Sequence, residues 1–210
     1  MTVLIESHYF PSIAYFGLLA QGEKAIIDVH EPYRKQSYRN RCYILGANNV
    51  QRLSVPVKKW QQQTPTRKIR INYEQPWQQQ HWRSITSAYG NAPFFDFFAS
   101  GFHDILFHQY AFLWELNHAI LTKCLKILQW PTPTLTISSN PPVNPLEPVL
   151  DYRNALLGRS ERFPKALFLP QSYRQVFGKD FVPNLSVIDL LFCEGLRANT
   201  LIHRSILPQQ

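Results

Sequence analysis

The segment FVPNLSVIDLLFCEG, residues 181–195, constrains the fold most, because it is strongly apolar yet lies close to the C-terminus. Asn184 or Ser186 can cap the start of a helix here, and Gly195 can end it. The apolar residues are too numerous for one face of a surface helix: Val187, Ile188, Leu190, Leu191 and Phe192. We therefore predict a helix that is buried on most sides, which makes the C-terminal region part of the core.

Hydrophobic residues make up 45% of the 210 residues and aromatic residues 14%, which is enough to bury one sizeable core. We predict a single domain over residues 1–210. Strand patterns dominate the first third of the chain and helix patterns the middle. This order favours an α/β or α+β fold in which helices cover a mixed sheet.

Hydrophobic periodicity and turn residues place the individual elements. Residues 8–22 contain a turn followed by a helix, and Gly46, Asn48 and Asn49 supply the turn of a hairpin. Apolar and polar residues alternate over 67–73, which is typical of a strand with one solvated face. The other predicted elements are strands within 2–7, 24–33 and 132–148, the last followed by a proline-rich connection, and helices over 77–89 and about 102–129.

No stretch approaches the roughly 18 consecutive apolar residues of a membrane-spanning helix. The start, MTVLIESHYFP, also lacks the basic and apolar regions of a signal peptide. These features predict a cytoplasmic protein. Cys42, Cys124 and Cys193 are odd in number and far apart, which indicates reduced structural thiols rather than a disulfide framework or a zinc site.

The positive charge is concentrated in one part of the chain. The net charge is +8, and residues 31–70 carry ten Lys or Arg residues against one acid, Glu31. Tyr33, Tyr38 and Tyr43 are interleaved with the first of these bases, a combination that suits stacking and phosphate contact. We interpret the cluster as evidence for an anionic ligand, which could be a nucleotide-sugar, an acyl-nucleotide, a phospholipid-linked sugar or RNA. Basic residues scattered around a solvated sheet would give the same count.

One face of the predicted helix over 102–129 resembles a metal site. Asp104, His108, Glu115 and His118 fall within about 80° of one another when each residue turns the helix by about 100°. The same geometry puts them opposite the apolar side, so we favour an ordinary solvated face. A carboxylate-bridged site would need a second Glu-x-x-His helix, which the sequence lacks. We predict no metal site, and the sequence names no cofactor.

Two predicted strands end in groups that suit acid/base chemistry. His8 follows the first strand, and Asp28 and His30 end the next one, at the position where α/β proteins bind ligands. A histidine beside a carboxylate is the usual acid/base pair. His81 and Ser84 share one side of the helix over 77–89, which could be the rim of the same cleft. Each histidine could equally hydrogen-bond a nearby loop.

Several separated segments together resemble the WbqC-like family of bacterial proteins. They are HYFPSIAYF, KQSYRNRCYI, LSVPVK, WQQQHWRSITSAY with NAPFFDFF, DYRN, YRQVF and FVPNLSVIDLLFCEG. The resemblance implies a link to O-antigen and other surface-polysaccharide biosynthesis. It marks these polar positions: His8, Tyr9, Ser37, Arg39, Asn40, Arg41, His81, Ser84, Tyr89, Asn184, Ser186 and Asp189. Family members often carry adjacent aspartates after the second strand, where this chain has Asp28-Val29-His30.

The first hypothesis is a transferase-like enzyme of surface-polysaccharide or cell-envelope biosynthesis that binds an activated anionic small-molecule donor. We predict that His8 is the general base, oriented by Asp28 and assisted by His81. The predicted ligand-binding residues are Tyr9, Lys35, Arg39, Asn40, Arg41, Ser84 and Tyr89.

The alternative is a non-catalytic binding module. It would hold RNA, anionic lipid or a protein partner through the same basic, tyrosine-rich segment, with an affinity that falls steeply with salt. The absence of a known nucleic-acid motif makes nucleic acid the second choice of partner. Neither hypothesis fixes the oligomeric state.

Overall fold

The computed structural model describes residues 1–130, the backbone of 135–138, and residues 148–156 and 168–207. The predicted proline-rich connection after residue 138 lies almost wholly outside the described residues. The strands in this part of the chain are β1 (Thr2–Glu6), β2 (Lys24–Asp28), β3 (Arg41–Leu45), β4 (Val50–Ser54), β5 (Leu135–Ser138) and β6 (Val149–Asp151). The α-helices are α1 (Ile13–Leu19), α2 (Trp77–Tyr89), α3 (Phe95–Phe107), α4 (Leu113–Leu128), α5 (Val187–Glu194) and α6 (Arg197–Arg204).

A parallel sheet forms the centre of the fold, with the strand order β5-β2-β1-β6. All five residues of β1 are buried, as are the last four of β2, because α/β folds cover both faces of a parallel sheet. The register pairs Glu6 with Asp28 and Leu4 with Asp151. The carboxyl ends of β1, β2 and β6 therefore meet at one edge of the sheet.

A separate antiparallel hairpin consists of β3 and β4. Leu45 pairs with Val50, and the Gly46 amide donates to the Asn49 carbonyl at 3.0 Å to close the turn. The predicted hairpin is thus confirmed. Together with the helices, the two sheets give the mixed α/β fold that the pattern of elements predicts.

Helix α5 confirms that the apolar segment 181–195 is core. Its residues from Val187 to Cys193 are all buried. The helix ends at Gly195, where φ is +57° and an added Cβ would lie 2.7 Å from the Phe94 ring, so glycine is required there. Ser186 is the N-cap by position, but its hydroxyl makes no capping bond. Asn184 instead caps another helix, α1, by accepting from the Ala14 amide at 2.9 Å.

The prediction of one helical region over 102–129 is wrong, because the chain leaves the helix at His108 and re-enters one at Leu113. The intervening residues pair with the segment after Lys68 instead. Arg70 forms a β-bridge with Phe112, and the Leu113 amide donates to Ile69 at 2.9 Å. The Ala111 carbonyl also accepts from the Ile71 amide at 3.3 Å, so backbone groups at the end of this break have partners outside the helices, which compensates for the interruption.

The prediction of a strand over 67–73 is wrong, because these residues form no continuous ladder of hydrogen bonds. The predicted alternation of buried and exposed side chains is present at residues 69–71. A 3-10 turn covers Thr66–Lys68, and only isolated bridges follow. Ile69 and Ile71 are nevertheless buried while Arg70 is exposed. An alternating sequence pattern therefore predicts which side chains are buried. Whether a hydrogen-bonded ladder forms depends on the neighbouring segments of the same chain.

The polar face considered as a metal site is divided between two helices by this break. Asp104 lies on α3, His108 caps its end, and Glu115 and His118 lie on α4. Across the described residues, no group of three or more His, Cys, Asp or Glu side chains is arranged to hold a metal ion. Within the same part of the chain, no helix has the length and apolar character needed to cross a membrane. Cys42, Cys124 and Cys193 are free and buried.

Candidate functional site

The carboxyl edge of the parallel sheet gathers buried and half-buried polar groups that we call the sheet-edge cluster: Glu6, His8, Glu31, Arg39 and Asn154. Glu6 ends β1, His8 follows two residues later, and Glu31 follows β2. Asn154 comes after β6, and Arg39 precedes β3. Ligands of open α/β sheets bind at this edge, because the loops that follow the strands converge there.

His8 forms a buried pair with Glu6. The His8 Nε2 atom lies 3.2 Å from Glu6 Oε1, and neither side chain is exposed. Burial lowers the pKa of His8 further than the Glu6 carboxylate raises it, so the imidazole is neutral near pH 7. Burial acts to raise the pKa of Glu6, but the hydrogen bond with His8 and the Arg39 charge together lower it below its ordinary value.

These protonation states assign the tautomer of His8. An ionised Glu6 can only accept, so His8 Nε2 carries the proton and donates it to the carboxylate. The lone pair of a neutral imidazole then lies on Nδ1, which is buried and has no partner among the residues that the structure describes. The ring packs against Tyr38 at 5.3 Å and Tyr15 at 4.8 Å between centroids. His8 is thus a fixed ring with one anchored nitrogen and one free acceptor.

Arg39 is a completely buried cation. Its guanidinium donates to both Glu31 oxygens, with an Nε–Oε1 distance of 2.6 Å, and its Nη2 donates to Asn154 Oδ1 at 3.1 Å. Nη1 lies 3.3 Å from the Ser37 hydroxyl, and Nη2 lies 3.9 Å from Glu6 Oε1. A planar guanidinium suits this two-point contact, which holds the strand ends together.

A small cavity adjoins the cluster between the sheet edge and α4. Its polar lining consists of Ser7, His8, Asn117 and His118, and its volume is about 10 Å³, close to that of one water-sized group. Asn117 Nδ2 donates to the Ser7 hydroxyl at 3.1 Å and to the Arg39 carbonyl at 2.9 Å. Within the described part of the chain, three polar atoms have no hydrogen-bond partner: His8 Nδ1, Asn117 Oδ1 and His118 Nδ1. His8 Nδ1 and Asn117 Oδ1 therefore offer unsatisfied acceptors to a group that donates.

Asp28 reaches the same sheet edge but contacts other groups. Its Oδ1 accepts from the amides of His30 at 2.8 Å and Glu31 at 3.3 Å, and its Oδ2 accepts from Arg153 at 3.0 Å. Arg153 also bonds Asp151. The predicted pairing of His8 with Asp28 is thus corrected: the carboxylate bonded to His8 is Glu6, which lies on the same strand end as the histidine.

His81 lies in the core away from the sheet-edge cluster. Its Nδ1 is 2.8 Å from the Tyr9 hydroxyl, and its ring also meets the Ser54 backbone. Burial lowers the pKa of His81 to about 4. His81 thus has a hydrogen-bond partner at Nδ1, the atom that has none among the described residues in His8. A catalytic role for His81 and ligand binding by Tyr9 stay predictions.

The remaining predicted ligand-binding residues lie in several places. Tyr89 is fully buried and accepts from the Leu45 amide at 3.3 Å. Asn40 donates to the Val55 carbonyl at 2.9 Å, and Ser84 accepts from Gln51 on the surface. Lys35 is exposed, and Arg41 is half-buried at the start of β3. The structure thus brings only His8 and Arg39 of the predicted set into the sheet-edge cluster.

Five residues at the sheet edge were not predicted as site residues from the sequence: Glu6, Glu31, Asn117, Arg153 and Asn154. Glu6 and the DYRN segment had a signal, because each stands at the carboxyl end of a predicted or possible strand next to other polar residues. Asn117 had none, since nothing in its local pattern distinguishes it from a polar residue on a helix surface.

The part of the chain that contains this site matches a known protein family. The model of the WbqC-like protein family matches residues 6–160, a segment that includes every residue of the sheet-edge cluster. No curated protein and no solved structure shows significant similarity to the chain.

Proposed function

Because the chain belongs to the WbqC-like protein family, we propose that it is a transferase of bacterial surface-polysaccharide or cell-envelope biosynthesis that acts on an activated anionic donor. The observation that carries the proposal is the state of His8. One ring nitrogen is anchored to a buried carboxylate, and the other is an unpartnered acceptor at the carboxyl edge of the sheet. This is the arrangement of a general base.

In the proposed reaction, a hydroxyl or amino group of the acceptor substrate enters the cavity beside His8. His8 Nδ1 takes its proton while the acceptor atom forms a bond to the donor and the bond to the leaving group breaks. Glu6 stabilises the resulting imidazolium, as carboxylates do in triads. Where the acceptor is an amino group, the Asn117 oxygen, which has no partner among the described residues, can accept its second hydrogen.

Arg39 is a positioning residue in this scheme. Its contacts with Glu31 and Asn154 join the ends of β2 and β6, and its 3.9 Å approach to Glu6 favours the ionised carboxylate that orients His8. Lys35 is exposed and stays available to a donor. Glu6 takes the orienting role that the sequence analysis assigned to Asp28.

The test is a search for turnover. Purified protein would be incubated with activated donors, including nucleotide-sugars and acyl-coenzyme A, and with hydroxyl and amine acceptors, and products would be identified by mass spectrometry. We expect His8→Gln to lower the rate by about 10²-fold or more, since general-base catalysis contributes about 10²–10⁴-fold. His103→Gln, at a partly exposed position on α3, is the matched control. A folded His8→Gln variant with the wild-type rate would overturn the proposal.

One observation favours the second candidate, a non-catalytic binding module. Lys58, Lys59, Lys68 and Arg70 are exposed and close together in the fold. A module that binds RNA or anionic lipid through them would show affinity that falls steeply with salt and no turnover with any donor.

A further inference from the structure

A second concave surface, which we call the basic groove, lies apart from the His8 cavity. It consists of two adjoining hollows of about 520 and 500 Å³, each within the range of small-molecule sites. Lys58 and Arg70 line both. The first hollow adds Lys59, Trp60 and Lys68, and the second adds Asn72, Tyr73, Glu74, Gln109 and Tyr110.

Backbone pairing holds the two shared cations in place. The Lys58 amide donates to the Arg70 carbonyl at 2.9 Å, and Val57 forms a bridge with Ile71. Arg70 also forms a bridge with Phe112, and its guanidinium lies 5.2 Å from the centre of the Phe112 ring. The positions from which both cations extend are therefore set by the fold.

The charge of the groove is unbalanced. Lys58, Lys59, Lys68 and Arg70 make no ion pair with any residue that the structure describes. Four like charges around one hollow repel one another, and an anion bound between them would relieve this repulsion. The lining acid, Glu74, belongs to the other hollow, where it accepts from Asn72. Anionic groups thus fit best in the first hollow and at its junction with the second.

The two hollows of the basic groove differ in their aromatic and amide residues. Trp60 is 40% exposed and meets Tyr33 edge-on at 5.1 Å, which leaves an indole surface beside the cations for a flat ring. The second hollow carries Gln109 and Asn72 and the rings of Tyr73 and Tyr110. Beyond the shared Lys58 and Arg70, this hollow adds amides, tyrosine rings and one acid, which suit the hydroxyl groups of an uncharged polyhydroxylated group.

We propose that the basic groove binds a nucleoside diphosphate-sugar. The diphosphate lies between Lys58 and Arg70, the base stacks on Trp60, and the sugar occupies the hollow of Tyr73 and Tyr110. This inference deepens the proposed function by naming the class of donor, and binding itself does not depend on catalysis. Backbone pairing links the segment that carries Lys68 to the sheet edge: the amide of the preceding residue, Arg67, donates at 2.7 Å to the carbonyl of Val29, which lines the His8 cavity.

The test is calorimetric titration with UDP-glucose, GDP-mannose, dTDP-glucose and inorganic pyrophosphate. We expect at least one of the sugar nucleotides to bind with a Kd below about 1 mM. Lys58→Gln/Arg70→Gln should weaken that binding tenfold or more. Arg83→Gln/Lys179→Gln removes the same charge from exposed positions outside the groove and should leave Kd within about twofold of wild type. Trp60→Ala should weaken the sugar nucleotide but not pyrophosphate.

Three outcomes would overturn the inference: no sugar nucleotide binds, the control variant loses as much affinity as the groove variant, or only RNA binds, with a steep salt dependence. His8→Gln separates this inference from the proposed function. If His8→Gln binds the sugar nucleotide as wild type does and retains full turnover, the groove stands and the His8 mechanism fails. If turnover depends on His8 while the groove variant keeps its affinity, the assignment of the donor to the groove fails.

Discussion

At the scale of single residues, His8 and His81 differ in what their Nδ1 atoms contact. Both are buried, and burial lowers the pKa of each. His81 bonds the Tyr9 hydroxyl through Nδ1, and its ring also meets the Ser54 backbone. In the part of the chain that the structure describes, His8 bonds Glu6 through Nε2 and leaves Nδ1 without a partner, which carries the desolvation cost of an unsatisfied buried acceptor. The unsatisfied nitrogen, more than the burial, distinguishes the candidate base.

The low pKa of His81 predicts how stability depends on pH. The unfolded chain protonates this ring near pH 6.5 and the folded protein only near pH 4, so stability is fully present above about pH 6.5 and is lost as pH falls toward 4. The difference corresponds to an effect on the order of 3 kcal/mol. Urea unfolding of wild type and His81→Gln at pH 7 and pH 4.5 would measure it. The decrease in the free energy of unfolding from pH 7 to pH 4.5 should be smaller in His81→Gln than in the control, His103→Gln. Equal decreases would contradict the assignment of this pH dependence to His81.

At the scale of elements, the late segment supports the start of the first helix. Asn184 accepts from the Ala14 amide, and the Ile13 amide donates to the Leu185 carbonyl at 2.9 Å. Two of the amides that α1 leaves unpaired at its N-terminus are thus satisfied by a segment about 170 residues away in sequence. Asn184 also has φ of +53°, a conformation that asparagine tolerates better than most residues.

Substitutions at Asn184 should separate these two contributions. Asn184→Gly keeps the backbone conformation but removes the cap, and we expect it to lower the free energy of unfolding by about 1 kcal/mol. Asn184→Ala should cost more, because it adds backbone strain. Asn184→Asp retains an acceptor oxygen and should cost least. Chemical denaturation would measure the series, with the exposed Asn91→Ala as control. An Ala variant as stable as wild type would show that the cap contributes nothing.

At the scale of the whole molecule, one hydrophobic core includes residues from Val3 in β1 to Ile202 in α6. Phe192 of α5 meets the rings of Tyr89, Phe95 and Phe102 at 5.1–5.9 Å. The C-terminal helices therefore close the core that the central sheet and α2–α4 begin. We propose on this basis that residues 1–210 form one WbqC-like domain.

Two leucines at the C-terminal end of the core test this closure. Leu191 is fully buried and Leu196 is 53% exposed. We expect Leu191→Ala to lower the free energy of unfolding by about 2–5 kcal/mol, because it leaves a cavity, and Leu196→Ala by about 0.5 kcal/mol or less. Thermal or urea unfolding would measure both. Equal effects would mean that α5 is not part of the cooperative core.

Most elements followed from local pattern. Side chains that are close in sequence determine several elements, and their periodicity shows which side must be buried. These elements are β1, β2, the β3–β4 hairpin, α1, α2 and α5. The resemblance to the WbqC-like family was also available from these segments, and the match over residues 6–160 confirms it. The end of α3 could not be predicted this way, because its cause is pairing with residues about 40 positions earlier.

The partners of the polar residues depended on the tertiary structure. Arg39 and Lys58 are equivalent bases in the sequence, yet one is buried against Glu31 and the other lines an open groove. Local pattern determines which residues are apolar and how they repeat along the chain. It does not determine which carboxylate meets which cation or imidazole, because strand order and the β1–β6 pairing bring together groups as far apart as Glu6 and Asn154.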